Sequence, residues 1–460
     1  MGYTTASSRQ AGCAAWRSAW AAAVVLLIGV PPVVATDIEG VQPAALDQPR
    51  VNVMLRRDSR QLPLAGKAGT DLLDLMEAKP KAKKTYNISA FLDTGASGVV
   101  ISAKTADAMG VLRATVRSAT TGQMQRVLFH DVGVGGTDRF EVSEPLYVAM
   151  AAYAPGTDTE DPGRDYRMLP WAMRAQVGPL GGGAGLLEAL VGSLDVMGMP
   201  TMAGKVVVID PKPVNGFDDT MRTYVYEART PYNAAQAKRN PGIPPVNRHV
   251  KLSYASFARF TQTVPASGPG PTLGRNPFIG PDPLAKAGAR ADGTPPVTIV
   301  HGGKSSVGSW LLDTGAAVSM ISTKQAAAVG ITYGQAGGLL SDPVLKGVAK
   351  EKQFTLTVGG IGGGKKSAGF YVDELRVQTM ERDVLVYKQA PVLVCDITVS
   401  DPNTGEKYTL EGVFGMNFLV ASAKLTEGLL PDIGKLTEGP FDWVVFDEPN
   451  GVLGVQLRRP

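Results

Sequence analysis

Phe91-Leu92-Asp93-Thr94-Gly95-Ala96-Ser97 recurs 220 residues later as Leu311-Leu312-Asp313-Thr314-Gly315-Ala316-Ala317. The flanks agree as well: Val99-Val100-Ile101-Ser102 follows the first copy and Val318-Ser319-Met320-Ile321-Ser322 the second. Each copy reads as an apolar strand running into an Asp-Thr-Gly-Ala turn, with a second apolar strand leaving it. One such turn is an ordinary strand-to-turn signal, because Asp and Gly are common turn residues. Two with matched flanks indicate a duplicated unit. Each half then contributes one carboxylate. Two carboxylates brought together by pseudo-symmetry would share a proton, one serving as general acid and the other as general base.

A second correspondence lies inside the first. Met197-Gly198-Met199 falls 103 residues after Gly95 and Phe414-Gly415-Met416 falls 100 after Gly315, counted glycine to glycine. Glycine at such a place lets another strand pass close by. With both motifs duplicated, the chain resembles a pepsin-type aspartic peptidase, in the Asp-Thr-Gly-Ala variant familiar from retropepsins and some bacterial relatives. The resemblance covers about residues 85–211 and 297–460, and the close, Val445-Phe446-Asp447 through Val452-Leu453-Gly454-Val455, resembles the last hairpin of pepsins.

That resemblance implies an all-β, bilobal fold, two pseudo-twofold-related β-barrel lobes with a cleft between them. It implies an endopeptidase in which Asp93 and Asp313 activate water, with no cofactor and no metal. Thr94 and Thr314 would brace the two loops against each other, Gly95 and Gly315 would let backbone amides reach the carboxylates, and Gly198 and Gly415 would serve as the ψ-loop glycines. The candidate flap, Ala119-Thr120-Thr121-Gly122-Gln123-Met124, carries the Thr-Gly pair of pepsin flaps but no Tyr. Either the flap works without it, as in retropepsins, or closure over the cleft differs. A second reading comes from another class: a catalytically silent cell-envelope module that keeps the cleft to bind peptides or glycans.

The residue after each glycine is Ala96 or Ala316, where many pepsins have Ser or Thr. A hydroxyl there would donate to the carboxylate and favour ionisation, so its loss raises the apparent pKa values. The expectation is a milder pH optimum than that of gastric-type enzymes.

A hydrophobic fraction of 44% with 19% charged residues belongs to a globular chain rather than a disordered one. The 54 Gly and 33 Pro, with β-branched runs between them, predict a helix-poor texture. A net charge of +4 over 460 residues gives no reason to expect nucleic acid or acidic membranes as partners. The expected partner is a peptide or protein substrate, met by a monomer. Arg9 and Arg17 precede the apolar stretch Ala21 to Val30, and small residues follow at Val33 and Ala35. This pattern predicts a signal peptide over residues 1–35 and a secreted, periplasmic or cell-envelope protein, with no membrane span after cleavage. An uncleaved anchor is the alternative. Cys395 would be alone in the mature chain, so no intramolecular disulfide is available and a free buried Cys is expected.

Residues 36–84 form a leader, either a removable propeptide or an interlobe strand, with strand-like alternation at Arg50 to Leu55, a helical turn at Leu72 to Met76 and a basic run from Lys79 to Lys84. The N-terminal lobe spans 85–211, with helical turns at Ala103 to Met109 and a surface excursion from Ala154 to Gly185. Residues 212–296 are a Pro-rich connector holding the opening strands of the second lobe, and 297–460 are the C-terminal lobe. Asn87-Ile88-Ser89 matches a glycosylation acceptor but sits in the strand leading to Asp93, which favours a chance match.

Other chemistries fail locally. Gly359 to Lys366 imitates a phosphate-binding loop, yet Lys366 stands where Ser or Thr is required, and a β-turn between strands fits better. His301-Gly302-Gly303 resembles an esterase oxyanion segment, but no Gly-x-Ser-x-Gly elbow accompanies it. The three histidines, His130, His249 and His301, have no metal-ligand spacing to one another or to Cys395.

Overall fold

The computed structural model describes residues 34–67, 84–180, 195–211, 221–228, 242–285, 293–334, 342–361, 363–425 and 431–458. The apolar stretch read as a signal, the helical turn at 72–76 and all of the basic run but Lys84 lie outside the described residues. The described chain is all-β, and its helices are single short turns. Among the described residues no helix is long and apolar enough to cross a membrane.

Two large sheets carry the duplicated motifs, one of ten strands and one of eleven. In the first, strand Ile88–Leu92 leads into Asp93 and lies parallel to Val196–Met197. That strand is antiparallel to Val100–Ile101, which is parallel to Gln176–Val177. In the second, Trp310–Leu312 leads into Asp313 and lies parallel to Gly412–Phe414. That strand is antiparallel to Met320–Ile321, which is parallel to Val384–Val394. An antiparallel strand flanks each set on its other side, Arg50–Arg56 in the first sheet and Asn276–Ile279 in the second. Order and direction agree strand for strand, so the repeat in sequence is a repeat in topology.

The strands fit these places because they are apolar on both faces. Leu92, Met197, Ile101 and Val177 are fully buried in one sheet, and Leu312, Phe414, Ile321 and Val394 in the other. Both sets belong to one continuous core. A parallel pair buried on both sides reads as an unbroken hydrophobic run, as these do. Each motif then ends in a capped helical turn. Ser102 accepts the Thr105 N–H (3.1 Å) ahead of Ala103–Ala108, and Ser322 accepts the Gln325 N–H (3.2 Å) ahead of Thr323–Ala328. A serine oxygen at this position satisfies an amide that the helix cannot.

The lobes are not closed barrels. The ten-stranded sheet runs from Arg167–Met173 at one edge to Gln262–Val264 at the other, and these edges do not meet. Pro170 removes a ladder donor from the first edge, and Pro265 ends the second. The eleven-stranded sheet is likewise open, with Ser253–Ala255 and Lys304–Gly308 at its ends. The stretch read as a surface excursion contains the edge strand Arg167–Met173, which pairs with Leu146–Ala151. Its alternation of mostly exposed residues with buried Leu169 and Met173 is that of a strand covered on one face.

The leader and the connector both cross between the sheets. Ala35–Ile38 pairs with Val384–Tyr387 of the second sheet, and Ala44–Ala45 with Ser422–Ala423, before Arg50–Arg56 enters the first sheet. Gln262–Val264, in the connector, pairs with Leu128–His130 of the first sheet before Asn276–Ile279 enters the second. A third sheet of five strands joins Lys205–Asp210, from the end of the first half, to the C-terminal hairpin Phe441–Asp447 and Val452–Leu457.

Candidate active site

Thr94 and Thr314 meet across the pseudo-twofold axis. The Thr94 hydroxyl donates to Leu312 O (2.6 Å) and accepts from the Thr314 N–H (3.0 Å). The Thr314 hydroxyl donates to Leu92 O (2.6 Å) and accepts from the Thr94 N–H (3.0 Å). Both side chains are buried. Four hydrogen bonds with the same partners in both directions fix the two loops relative to each other. Thr94→Val is expected to leave Leu312 O and the Thr314 N–H buried without partners. At about 1–3 kcal/mol for each unsatisfied group, the loss is roughly 2–6 kcal/mol. Denaturant unfolding should show a lower midpoint at unchanged slope. Thr94→Ser keeps the hydroxyl and should recover most of that loss; if the two variants unfold alike, the hydroxyl bonds are not what holds the loops.

The brace places Asp93 and Asp313 within hydrogen-bonding reach of each other. Each glycine makes room for the opposite carboxyl. A Cβ on Gly95 would stand 2.4 Å from Asp313 Cγ, and one on Gly315 would stand 2.3 Å from Asp93 Cγ. No side chain fits there. The loop amides converge on the carboxylates: the Gly95 and Ala96 N–H groups donate to Asp93 Oδ1 at 2.7 and 3.1 Å, and the Gly315 N–H donates to Asp313 Oδ1 at 2.9 Å.

Burial of the pair raises both pKa values, and the rest of the surroundings treat the two residues differently. At Asp93, burial is opposed by the hydrogen bond from Asp313 and by the Gly95, Ala96 and Gly315 amides. At Asp313, burial is reinforced by the Asp93 charge and by the shared hydrogen bond, which holds its carboxyl well above the usual range. The pair therefore holds one proton between them and releases it only well above the usual carboxylate range. One proton shared by two close carboxyls is what like-charge repulsion in a dry site requires.

The ψ-loop glycines occupy equivalent places. A Cβ on Gly198 would meet Gly98 O at 2.1 Å and Ala96 O at 2.5 Å, and one on Gly415 would meet Val318 O at 2.6 Å and Ala316 O at 2.9 Å. The next amide in each copy closes the contact, Met199 N–H to Ala96 O (3.0 Å) and Met416 N–H to Ala316 O (2.8 Å). Ala96 and Ala316 are thus held by their carbonyls.

The candidate flap is a hairpin, Thr115–Arg117 with Met124–Arg126. Thr120, Thr121 and Gly122 form its exposed tip, and among the described residues their hydrogen bonds are local to the turn. Nothing lies within 4 Å of where a Gly122 Cβ would stand. Among the described residues no hydrogen bond joins these three residues to Asp93 or Asp313.

A supporting layer escaped the sequence reading. Buried Asp195 accepts the Ser102 N–H (2.8 Å) and the Thr105 hydroxyl (2.7 Å), and so pins the helical turn behind the first motif. Asp396 does the same for Thr323 in the second. Ser319 accepts the Gly415 N–H (2.9 Å) and donates to Asn417 Oδ1 (2.7 Å). One signal was there to be read: Ile-Ser-x-Lys-x-Ala-x-Ala-x-Gly runs from Ile101 to Gly110 and again from Ile321 to Gly330, so the repeat continues through the helical turn that follows each motif.

Among the described residues no group of three His, Cys, Asp or Glu side chains could hold a metal ion. His249 pairs with Glu381 and His301 with Asp373, away from each other, and Cys395 is a free buried thiol. The carboxamide of Asn87 is engaged internally, donating to Asn52 Oδ1 (3.0 Å) and accepting from the Tyr166 hydroxyl (2.9 Å).

No family model matches the sequence, and no curated protein matches it. Solved structures that resemble it include soybean basic 7S globulin, at 9% identity and a TM-score of 0.36 over 89% of this chain and 95% of that one. Conglutin gamma, a basic 7S globulin from lupine seeds, is similar at 8% identity and a TM-score of 0.35 over 90% and 96%. At these values neither likeness bears on what the chain does.

Proposed function

We propose that the chain is an aspartic endopeptidase that hydrolyses peptide bonds with water as the nucleophile. The observation that carries this reading is the buried pair of carboxyls, Asp93 and Asp313, held between two braced, pseudo-symmetric loops. The ionised carboxyl of the pair takes a proton from water as the oxygen attacks the scissile carbonyl carbon, while the protonated one delivers its proton to the carbonyl oxygen. The resulting diol collapses as the first carboxyl passes its proton to the leaving nitrogen and the second recovers one from a diol hydroxyl. The C–N bond breaks, and the dyad ends as it began. The substrate is a peptide or protein, and the apolar N-terminal stretch is an export signal.

The test is cleavage of a mixed peptide library across pH 3–8 by the chain from Val34 onward, with and without a statine-type mimic of the diol. Cleavage that the mimic blocks supports the reading. Folded protein that binds the mimic and cleaves nothing in any condition would replace it with a silent peptide-binding module.

The pH profile follows from the dyad. Activity requires one proton on the pair, so it falls at low pH as the pair takes up a second proton and at high pH as it loses the last one. Burial raises both residues, and neither Ala96 nor Ala316 offers a hydroxyl to lower them. The active window is displaced upward on both sides. A profile peaking below about 3 would contradict this argument.

A further inference from the structure

A third repeat is hidden in the chain. Gln48-Pro49-Arg50-Val51 and Asn276-Pro277-Phe278-Ile279 are each an amide residue, a proline, any residue and a β-branched one. The sheets make them equivalent. Arg50 pairs with Phe91 and Phe278 with Leu311, and Phe91 and Leu311 are the same position of the duplicated motif. Gln48 and Asn276 therefore stand at corresponding sites, at the start of the strand that flanks each Asp-bearing strand.

Their side chains cross over. Asn276 enters the second sheet, yet its Nδ2 donates to Thr94 O (3.0 Å) and Gly95 O (2.9 Å) of the first loop, and its Oδ1 accepts the Ser97 hydroxyl (2.6 Å). Gln48 enters the first sheet, yet its Nε2 donates to Gly315 O of the second loop. The chain before each one lies along the other half. Ala45 N–H donates to Ala317 O (2.7 Å) and Leu46 N–H to Ala421 O (3.0 Å), while Gly274 N–H donates to Ser97 O (2.7 Å) and Thr272 N–H to Arg174 O (2.9 Å). A residue before proline is restricted to extended backbone, which limits where its side chain can point. Pro49 and Pro277 are buried, so this restriction is built into both places.

The carbonyls that are gripped decide what the grip does. A peptide group is planar, with its C=O and N–H pointing in opposite directions. Thr94 O shares a plane with the Gly95 N–H, and Gly95 O with the Ala96 N–H. Those two N–H groups are the ones that donate to Asp93 Oδ1. Gly315 O shares a plane with the Ala316 N–H, which donates to the main-chain O of Asp313 (3.3 Å) and lies near enough to its carboxyl to favour the ionised form. We propose that Gln48 and Asn276 are positioning residues of the dyad: each holds the far end of the peptide groups whose N–H ends are aimed at the carboxyl of the opposite lobe. Neither carboxyl is then fully set unless the two halves are docked.

This inference rests on the peptidase reading only for its kinetic consequence, so its test includes a readout that needs no substrate. The carboxyl carbons of Asp93 and Asp313 are followed by NMR against pH in the wild-type chain, in Asn276→Leu and in Gln48→Met. Both replacements keep the approximate shape and remove the donor. Each replacement is expected to move the titration of the pair upward by about half to one pH unit. In a peptide-cleavage assay each should lower kcat by roughly 10-fold or more with KM changed less than about 2-fold. Gln48→Asn, which keeps a donor on a shorter side chain, should restore part of the shift. Gln48 is only half-buried, so its variant decides the matter if Asn276→Leu fails to fold. Folded variants whose two titration steps match wild type would overturn the proposal. A wild-type chain that cleaves nothing would remove the peptidase reading and leave the titration to judge the positioning.

Discussion

Replacing either Asp93 or Asp313 by Asn is expected to cut kcat/KM at least about 10³-fold, and at the same time to raise the thermal unfolding midpoint at neutral pH. The first part follows from role. Proton transfer by a placed side chain contributes roughly 10²–10⁴-fold, and in a dyad each residue needs the other, so one substitution removes both transfers. The second part follows from linkage. The carboxyls of Asp93 and Asp313 titrate above the ordinary value of 3.8 because burial, and at Asp313 the neighbouring charge, disfavour ionisation. The folded chain then binds their protons more tightly than the unfolded chain does. The stability this supplies is complete below pH 3.8 and is lost as pH rises through the folded-state values. Asn has no proton to lose. Its amide keeps nearly the shape of the carboxyl, and its oxygen still accepts the loop N–H groups. The substituted chains should match wild type in acid and pull ahead of it from about pH 4 upward. A midpoint that falls at every pH would mean that the two aspartates are structural and that the charge conflict at the site is not real.

Much of this site could be read from the chain because it is written twice. A pattern of apolar strand, Asp-Thr-Gly-Ala and apolar strand is a local arrangement. The residues that make the Thr94–Thr314 brace are adjacent in sequence to the carboxyls they align, so one short phrase carries both. Gly198 and Gly415 were legible for a similar reason, since only glycine lets a strand pass at the distances found to Ala96 O, Gly98 O and Val318 O. The crossed amides were not legible. Gln48 lies 45 residues before Asp93 and Asn276 lies 37 before Asp313, and a Gln in one copy answers an Asn in the other. Two residues at unequal spacing become a pattern only when strand register shows that Arg50 and Phe278 are the same place. The edge strand Arg167–Met173 was hidden by composition. Pro, Gly and charge around it mark a loop, and they also mark an edge that must not pair further. Closed barrels were expected from the resemblance alone, and the prolines at the edges of the first sheet, Pro170 and Pro265, argue against closure there.

Removing residues through 83, so that the chain begins at Lys84, is expected to abolish cooperative folding rather than release an active enzyme. Arg50–Arg56 is an inner strand of the first sheet. It pairs with Ile88–Phe91, in the strand that leads to Asp93, on one side and with Tyr147–Ala151 on the other. Val51, Val53, Met54 and Leu55 are all completely buried. At about 1.5–3 kcal/mol for each side chain buried, these four supply roughly 6–12 kcal/mol, as much as the whole net stability of a typical domain, about 5–15 kcal/mol. Their loss also opens the ladder beside Asp93, leaving backbone groups of two inner strands without partners. The earlier part of the leader holds the other half, through Ala35–Ile38 beside Val384–Tyr387 and Ala44–Ala45 beside Ser422–Ala423. A removable prosegment must leave a complete fold behind when it departs, and this one would take a central strand with it. Far-UV circular dichroism and thermal unfolding of the chain from Val34 and the chain from Lys84 give the comparison. A sharp transition in the shorter chain, at a midpoint near that of the longer one, would show that the first sheet closes without Arg50–Arg56. The leader would then be a prosegment after all, with its place in the sheet taken by another strand on maturation.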